Sequence, residues 1–135
     1  MAAVALTAPT PGAGAQTQWG TAGETIIAGQ AVYLDTATNT YKLADAGAEA
    51  TAAMAGFALT GASIGQPVKI LTSGPMTATG LTAGEAYFLN TTAGSIGLYE
   101  DLTGGTDYIT YVGTASTESA MVVRVHASGV KLHAA

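Results

Sequence analysis

Residues 28–45 read AGQAVYLDTATNTYKLAD, and residues 83–100 read AGEAYFLNTTAGSIGLYE. The second stretch repeats the first 55 positions later: Gly29, Ala31, Leu34, Thr36 and Leu43 recur as Gly84, Ala86, Leu89, Thr91 and Leu98. Asp35 recurs as Asn90, and Tyr33 as Phe88. The register then slips by two, so that Gly56-Phe57-Ala58 meets Gly113-Thr114-Ala115. VKILTSG at 68–74 falls on VRVHASG at 123–129, again at a spacing of 55. Two units, 21–75 and 76–131, therefore share one plan: a leading strand, a turn, a return strand, a Gly-x-Ala strand, and a strand with one cation ending in Ser-Gly. A solenoid needs three or more repeats to bury its faces. Two copies imply one domain with internal pseudo-symmetry, each half covering the other's apolar side.

The texture of both units is β. Thr25–Ile27, Gln30–Leu34, Thr40–Leu43, Val68–Leu71, Ala86–Leu89, Tyr108–Gly113 and Met121–Val125 are short runs rich in β-branched or aromatic residues. Turns of Gly, Asn, Asp or Thr at intervals of about 8–12 residues separate them, the pattern of an antiparallel β-sandwich or small β-barrel. ADAGAEATAAM at 44–54 is the exception. Alanine favours helix, Gly47 interrupts it, and Asp45 could cap one short turn, so a brief helix and a loose loop both fit.

Charge constrains function more than it constrains the fold. Charged residues make up 10% of the 135-residue chain, against about 25% in ordinary soluble domains. The cations are Lys42, Lys69, Arg124 and Lys131, and the net charge is −5. Four scattered cations cannot build the basic patch that phosphate binding requires, so nucleic acid is not expected as a partner. No run of 18 apolar residues exists, so no membrane span is expected either. The start, MAAVALTAPTPG, lacks the basic segment of a secretory signal. Cysteine is absent, which removes disulfides, thiolate metal sites and cysteine nucleophiles together. The exterior must be mostly Thr, Ser, Ala and Gly. Covering such a surface strips water from few ions, so the chain reads as one built to sit against copies of itself or a larger partner.

Residues 1–18 carry no charge and include Pro9, Pro11, Gly12 and Gly14. Proline biases such a stretch towards extended backbone and glycine loosens it. The expectation is an extended N-terminal arm, mobile in the free protein and able to add a strand to a neighbour's sheet edge. The remaining residues, 19–135, form the single β domain, and Trp19 marks the junction.

No catalytic constellation survives inspection. GASIG at 61–65 matches G-x-S-x-G, but the nucleophile elbow needs a helix after Ser63, and Gln66-Pro67 and a β run follow instead. Asp101 or Asp107 and His126 complete the order of a triad only as common residues. His126 falls on Leu71 in the repeat, a strand position. His126 and His133 have no carboxylate at ligand spacing, so no metal is expected. Glu100-Asp101 and Asp107 lack the spacing of a calcium loop and read as a solvated turn. Asn90-Thr91-Thr92 is formally a glycosylation sequon, but its place in the repeat beside Asp35-Thr36-Ala37 makes it a side-chain-capped turn. Lys69 and Arg124, matched across the repeat, read as outward strand positions that discourage wrong pairing or form ion pairs across a subunit interface.

The run AGQAVYLD…YKLADA…AGFAL, with GQPVKILTSG after it, resembles the capsid decoration (cement or head-fibre) proteins of tailed bacteriophages. On that pattern Gly29, Val32, Tyr33, Leu34, Asp35, Gly56, Ala58, Gly65, Val68 and Gly74 match, and the likeness spans roughly 24–125. The resemblance implies a structural virion protein without enzymatic activity or cofactor, commonly a homotrimer, seated on the outer surface of an assembled head and bridging major capsid protein subunits. It also implies that the arm orders against the major capsid protein, with Thr7, Pro9, Pro11, Gln16, Gln18 and Trp19 as contacts. Lys69 and Arg124 are then candidates for the oligomer interface. The alternative is a receptor- or glycan-binding domain of a tail fibre, for which Tyr99, Tyr108 and Tyr111 would have to form an exposed cluster.

Overall fold

The computed structural model describes residues 6–98 and 108–131. Its elements are β1 (Thr7–Pro11), β2 (Gln16–Thr21), β3 (Ala31–Asp35), β4 (Thr40–Leu43), α1 (Glu49–Ala52), β5 (Met54–Ala58), β6 (Pro67–Thr79), β7 (Ala86–Leu89), β8 (Ile96–Gly97), β9 (Tyr108–Thr117) and β10 (Ala120–Lys131). The chain is all-β: one antiparallel sheet in the order β4-β3-β5-β6-β10-β9-β7-β8 curls into a half-barrel, with β1 and β2 added on β6. The alanine-rich stretch yields a single helical turn. Its N-cap residue is Ala48, which has no side-chain acceptor, and Asp45 Oδ1 accepts the Gly47 N–H and the Thr51 hydroxyl.

The repeat is written into the backbone. β3 pairs with β5 as Ala31–Phe57 and Val32–Gly56, and past a bulge as Tyr33–Met54. β7 pairs with β9 as Ala86–Thr114 and Tyr87–Gly113, and past a bulge at the same step as Phe88–Tyr111. The hairpin pairs Tyr33–Lys42 and Leu34–Tyr41 return as Phe88–Gly97 and Leu89–Ile96. Gly29 donates to the Ala58 carbonyl and Gly84 to the Ala115 carbonyl, both at 2.8 Å. Each hairpin turn needs one left-handed residue: Asn39 (φ 57°) in the first and Gly94 (φ 79°) in the second. The side-chain caps repeat as well. Asp35 Oδ1 accepts the Ala37 N–H at 3.0 Å, and Asn90 Oδ1 accepts the Thr92 N–H at 3.1 Å. Asn90 is buried, so the sequon holds a turn.

Three expectations need correction. The fourth strand does not keep the spacing of 55. Leu71 lies opposite Phe57, but the residue opposite Thr114, the repeat of Phe57, is Val122, and His126 lies opposite Tyr111. The cause is the connection. Eight residues, 59–66, separate β5 from β6, whereas Glu118 and Ser119 alone turn β9 into β10, so the later strand starts its pairing earlier. Lys69 and Arg124 are consequently not equivalent, and His126 is not the counterpart of Leu71.

Residues 6–18, secondly, are not separate from the domain. β1 and β2 run antiparallel to the thirteen-residue β6, from Thr7–Thr79 to Thr21–Pro67. The N-terminal half of β6 thus lies between β2 and β5, and the C-terminal half between β1 and β10. Gly74 stands between the halves with φ 106°, and Ala15 lies 2.8 Å from where its Cβ would stand. Leu6 is 4% exposed and belongs to the core. A strand as long as β6 offers a row of backbone groups on its free edge, and an uncharged Thr/Gln/Pro segment that can extend satisfies them. Thr25–Ile27, conversely, is no strand: Ile26 makes one isolated bridge with Ala62.

The halves, thirdly, do not cover each other face to face. In the first unit Val32, Tyr41, Ala58 and Ile70 point into a small core closed by Ala22, Ile26 and Ala62. Their repeats Tyr87, Ile96 and Ala115 point into the larger core, where Phe57, Leu71, Ala31 and Met54 from the opposite face of the first unit meet them. The back of the first unit therefore closes the front of the second. The repeats of that back, Ala86, Tyr111, Thr114 and Val122, are left at least partly exposed.

Candidate interaction surface

Large apolar side chains on the exterior define where this molecule can be covered. Trp19 is 64% exposed, Ile27 64%, Ile64 72% and Val122 45%. Isolated exposed hydrophobes are ordinary, while tryptophan is among the residue types enriched at binding hot spots. Trp19 is held by its cross-strand neighbour Lys69, whose ammonium sits 5.9 Å from the ring centroid, within cation–π range. The preceding residue, Gln18, points to the other side of β2 and donates its side-chain amide to the Tyr41 hydroxyl.

The structure distributes the other expected contacts unevenly. Thr7 pairs through its backbone with Thr79. Pro9 is buried within the chain and is withdrawn as a contact, because β1 is packed down along β6. Pro11 and Gln16 are exposed along the same edge. The Gln16 carbonyl accepts the Thr72 hydroxyl, and Gln16 stands opposite Ser73. Arg124 stands opposite Ser73 on the other side of β6, exposed, and no carboxylate of the described residues pairs with it. The expected contacts thus gather in two places: the Trp19–Lys69 edge, and the outer face of β10 with Arg124.

Of that outer face the sequence marked only Arg124 as outward, and Arg124 is exposed. The face carries Val122, Arg124 and His126 from β10 and Thr114 and Tyr111 from β9. The Tyr111 ring meets Phe88 of β7 edge-on at 5.8 Å and 72°, an arrangement aromatic quadrupoles favour. The run Met121-Val122-Val123-Arg124-Val125 is otherwise apolar, so Arg124 alone marks which side faces water, and nothing local says what shares that side. Tyr108 leans on the core while Tyr111 sits on this outer face. The pair does not form one groove, and Tyr99 lies outside the described residues.

Charge around the first hairpin is tied to the fold. Lys42 Nζ lies 2.8 Å from Asp35 Oδ2. The Lys42 ammonium, and then the Ala37 N–H, hold the Asp35 carboxyl below the usual carboxylate range. The same carboxylate raises Lys42. Glu24 Oε2 accepts the Leu43 N–H at 2.9 Å, pinning the segment after β2 to β4. Beside it, an open cleft of about 230 Å³ is lined by Ala22, Thr38, Thr40, Lys42 and Ile64. Ligand pockets run from about 300 Å³ upward, so this cleft is small for one.

The chemical motifs fall in separate places. Ser63 is an exposed loop residue whose N–H donates to Gln66 Oε1 at 2.9 Å, and β6 follows rather than a helix. His126 lies on β10 in the other half. Glu100, Asp101, Asp107 and His133 lie outside the described residues. Among the described residues no three His, Asp or Glu side chains group to hold a metal ion, and no helix is long and apolar enough to cross a membrane. The fold and surface define an all-β module that presents apolar and aromatic side chains to water. No family model matches the chain, and none of the curated proteins matches it.

Proposed function

We propose that this chain is a structural virion protein. It acts as a decoration or cement module on the outer surface of an assembled phage head, bridging major capsid protein subunits and associating with copies of itself. One observation carries the reading: a chain only 10% charged that presents Trp19, Ile27 and Ile64 to water. A surface of this composition costs little to desolvate and gains from being covered. Residues that carry the resemblance to the decoration family serve the β plan: Gly29 turns the chain into β3 and donates to the Ala58 carbonyl, Asp35 caps the first hairpin turn, and Gly56 lies at the β3–β5 bulge. Binding only the mature shell would stabilise that state by linkage, since many copies each add their binding free energy.

Co-sedimentation with assembled, expanded heads, with unexpanded heads as control, tests this directly. Saturable binding to the expanded form at a fixed copy number is the expected result. Absence of the protein from the pelleted heads at every concentration would remove the proposal.

A further inference from the structure

We propose that copies of this chain associate head to tail, the outer β9–β10 face of one receiving the segments that close the small core of the next. This rests on the self-association included above. The internal repeat supplies the first reason. The sheet face that carries Phe57 and Leu71 in the first unit is covered by the second unit, and its register equivalent, carrying Thr114 and Val122, is left exposed by the described residues. The two-unit array is thus closed at one end and open at the other. At the closed end, the segments around Ile26 and Ala62 are bridged by backbone hydrogen bonds of 2.8 and 2.9 Å, and they leave Ile27 and Ile64 outside.

Charge selects the partner. Among the described residues the strand positions of the open face hold Arg124 and no carboxylate; Ala86, Phe88, Tyr111, Thr114, Val122 and His126 share it. The closed end carries the Glu24 carboxylate, and its nearby cation, Lys42, is already committed to Asp35. Opposite signs therefore meet in a head-to-tail contact. A two-fold contact of open face on open face would instead direct Arg124 towards its own copy and leave Ile27 and Ile64 in water. A heterologous contact of this kind generates a closed ring or, if the rotation does not close, a filament.

Two variants test it by complementation. The face variant is Val122→Glu with Arg124→Glu, and the closed-end variant is Ile27→Glu with Ile64→Glu, all at exposed positions, with circular dichroism reporting retained fold. In analytical ultracentrifugation the unaltered chain forms an oligomer. Each variant alone dissociates, with self-affinity reduced at least about tenfold, and an equimolar mixture of the two forms a dimer that grows no further. A monomeric unaltered chain overturns the inference, as does a closed-end variant that still associates normally, or a mixture that stays monomeric. Should either variant misfold, Arg124→Gln and Ile64→Ser give the same reading more gently. Neither outcome bears on shell binding, which co-sedimentation decides separately.

Discussion

Phe57 and Thr114 hold the same register position in two copies of one strand arrangement, opposite Ala31 and Ala86 respectively, yet Phe57 is fully buried and Thr114 faces water. The repeat is therefore one of backbone, stacked back to front. Its consequences can be measured.

Gly56 and Gly113 should fail alike. A Cβ at Gly56 would collide with the Leu71 carbonyl oxygen, and one at Gly113 with that of Val122. The obstacle is backbone in both cases, so neither site can relax by turning a side chain. Gly56→Ala and Gly113→Ala should each cost about 3 kcal/mol or more, seen in urea unfolding as a lowered midpoint. Asn39→Gly, at a position already left-handed and exposed, should stay within about 0.5 kcal/mol of the unaltered protein.

The N-terminal segment should behave as part of the fold. Leu6→Ala removes a side chain from the main core and should cost about 2–5 kcal/mol. Deleting residues 1–18 bares the edge of β6 and should lower the melting temperature and promote aggregation through that edge. A truncated protein that melts as the full chain does would show that β1 and β2 contribute nothing to stability.

Acid should release the first hairpin. The folded Asp35 carboxyl titrates below its ordinary value, chiefly because Lys42 donates to it. Its contribution is therefore complete above the ordinary carboxylate value and is lost as pH falls through the lower folded one. Lys42 mirrors this: its pKa is raised by Asp35, so its contribution is present below its ordinary value and lost as pH rises through the higher folded one. Asp35→Asn should flatten the decline in stability from about pH 5 to about pH 2, measured by denaturant unfolding at each pH. An unchanged slope would separate the ion pair from stability.

Trp19 should report binding without supporting the fold. It is the only tryptophan and mostly exposed, so emission of the free protein should be that of solvated indole. Engagement of a partner should shift it to the blue. Trp19→Ala should change stability by less than about 1 kcal/mol while weakening attachment to heads at least about tenfold. A large loss of stability would make Trp19 a packing residue instead.

The sequence by itself determined whatever is local. The spacing of 55 announced two units, Asp35 and Asn90 announced matching capped turns, and the short β-branched runs placed most strands, because turn chemistry and strand propensity act within a few residues. Gly47 and the lone Asp45 kept α1 to one turn for the same reason. Tertiary structure decided what covers what. Alternation gives each strand two sides but does not say which side meets another layer. That is why Val122 and Leu71 exchange environments although their partners Thr114 and Phe57 are equivalents. It also took the long edge of β6 to turn an uncharged tail into two strands, since a partner distant in sequence, not the segment's own composition, supplies the hydrogen bonds that hold it.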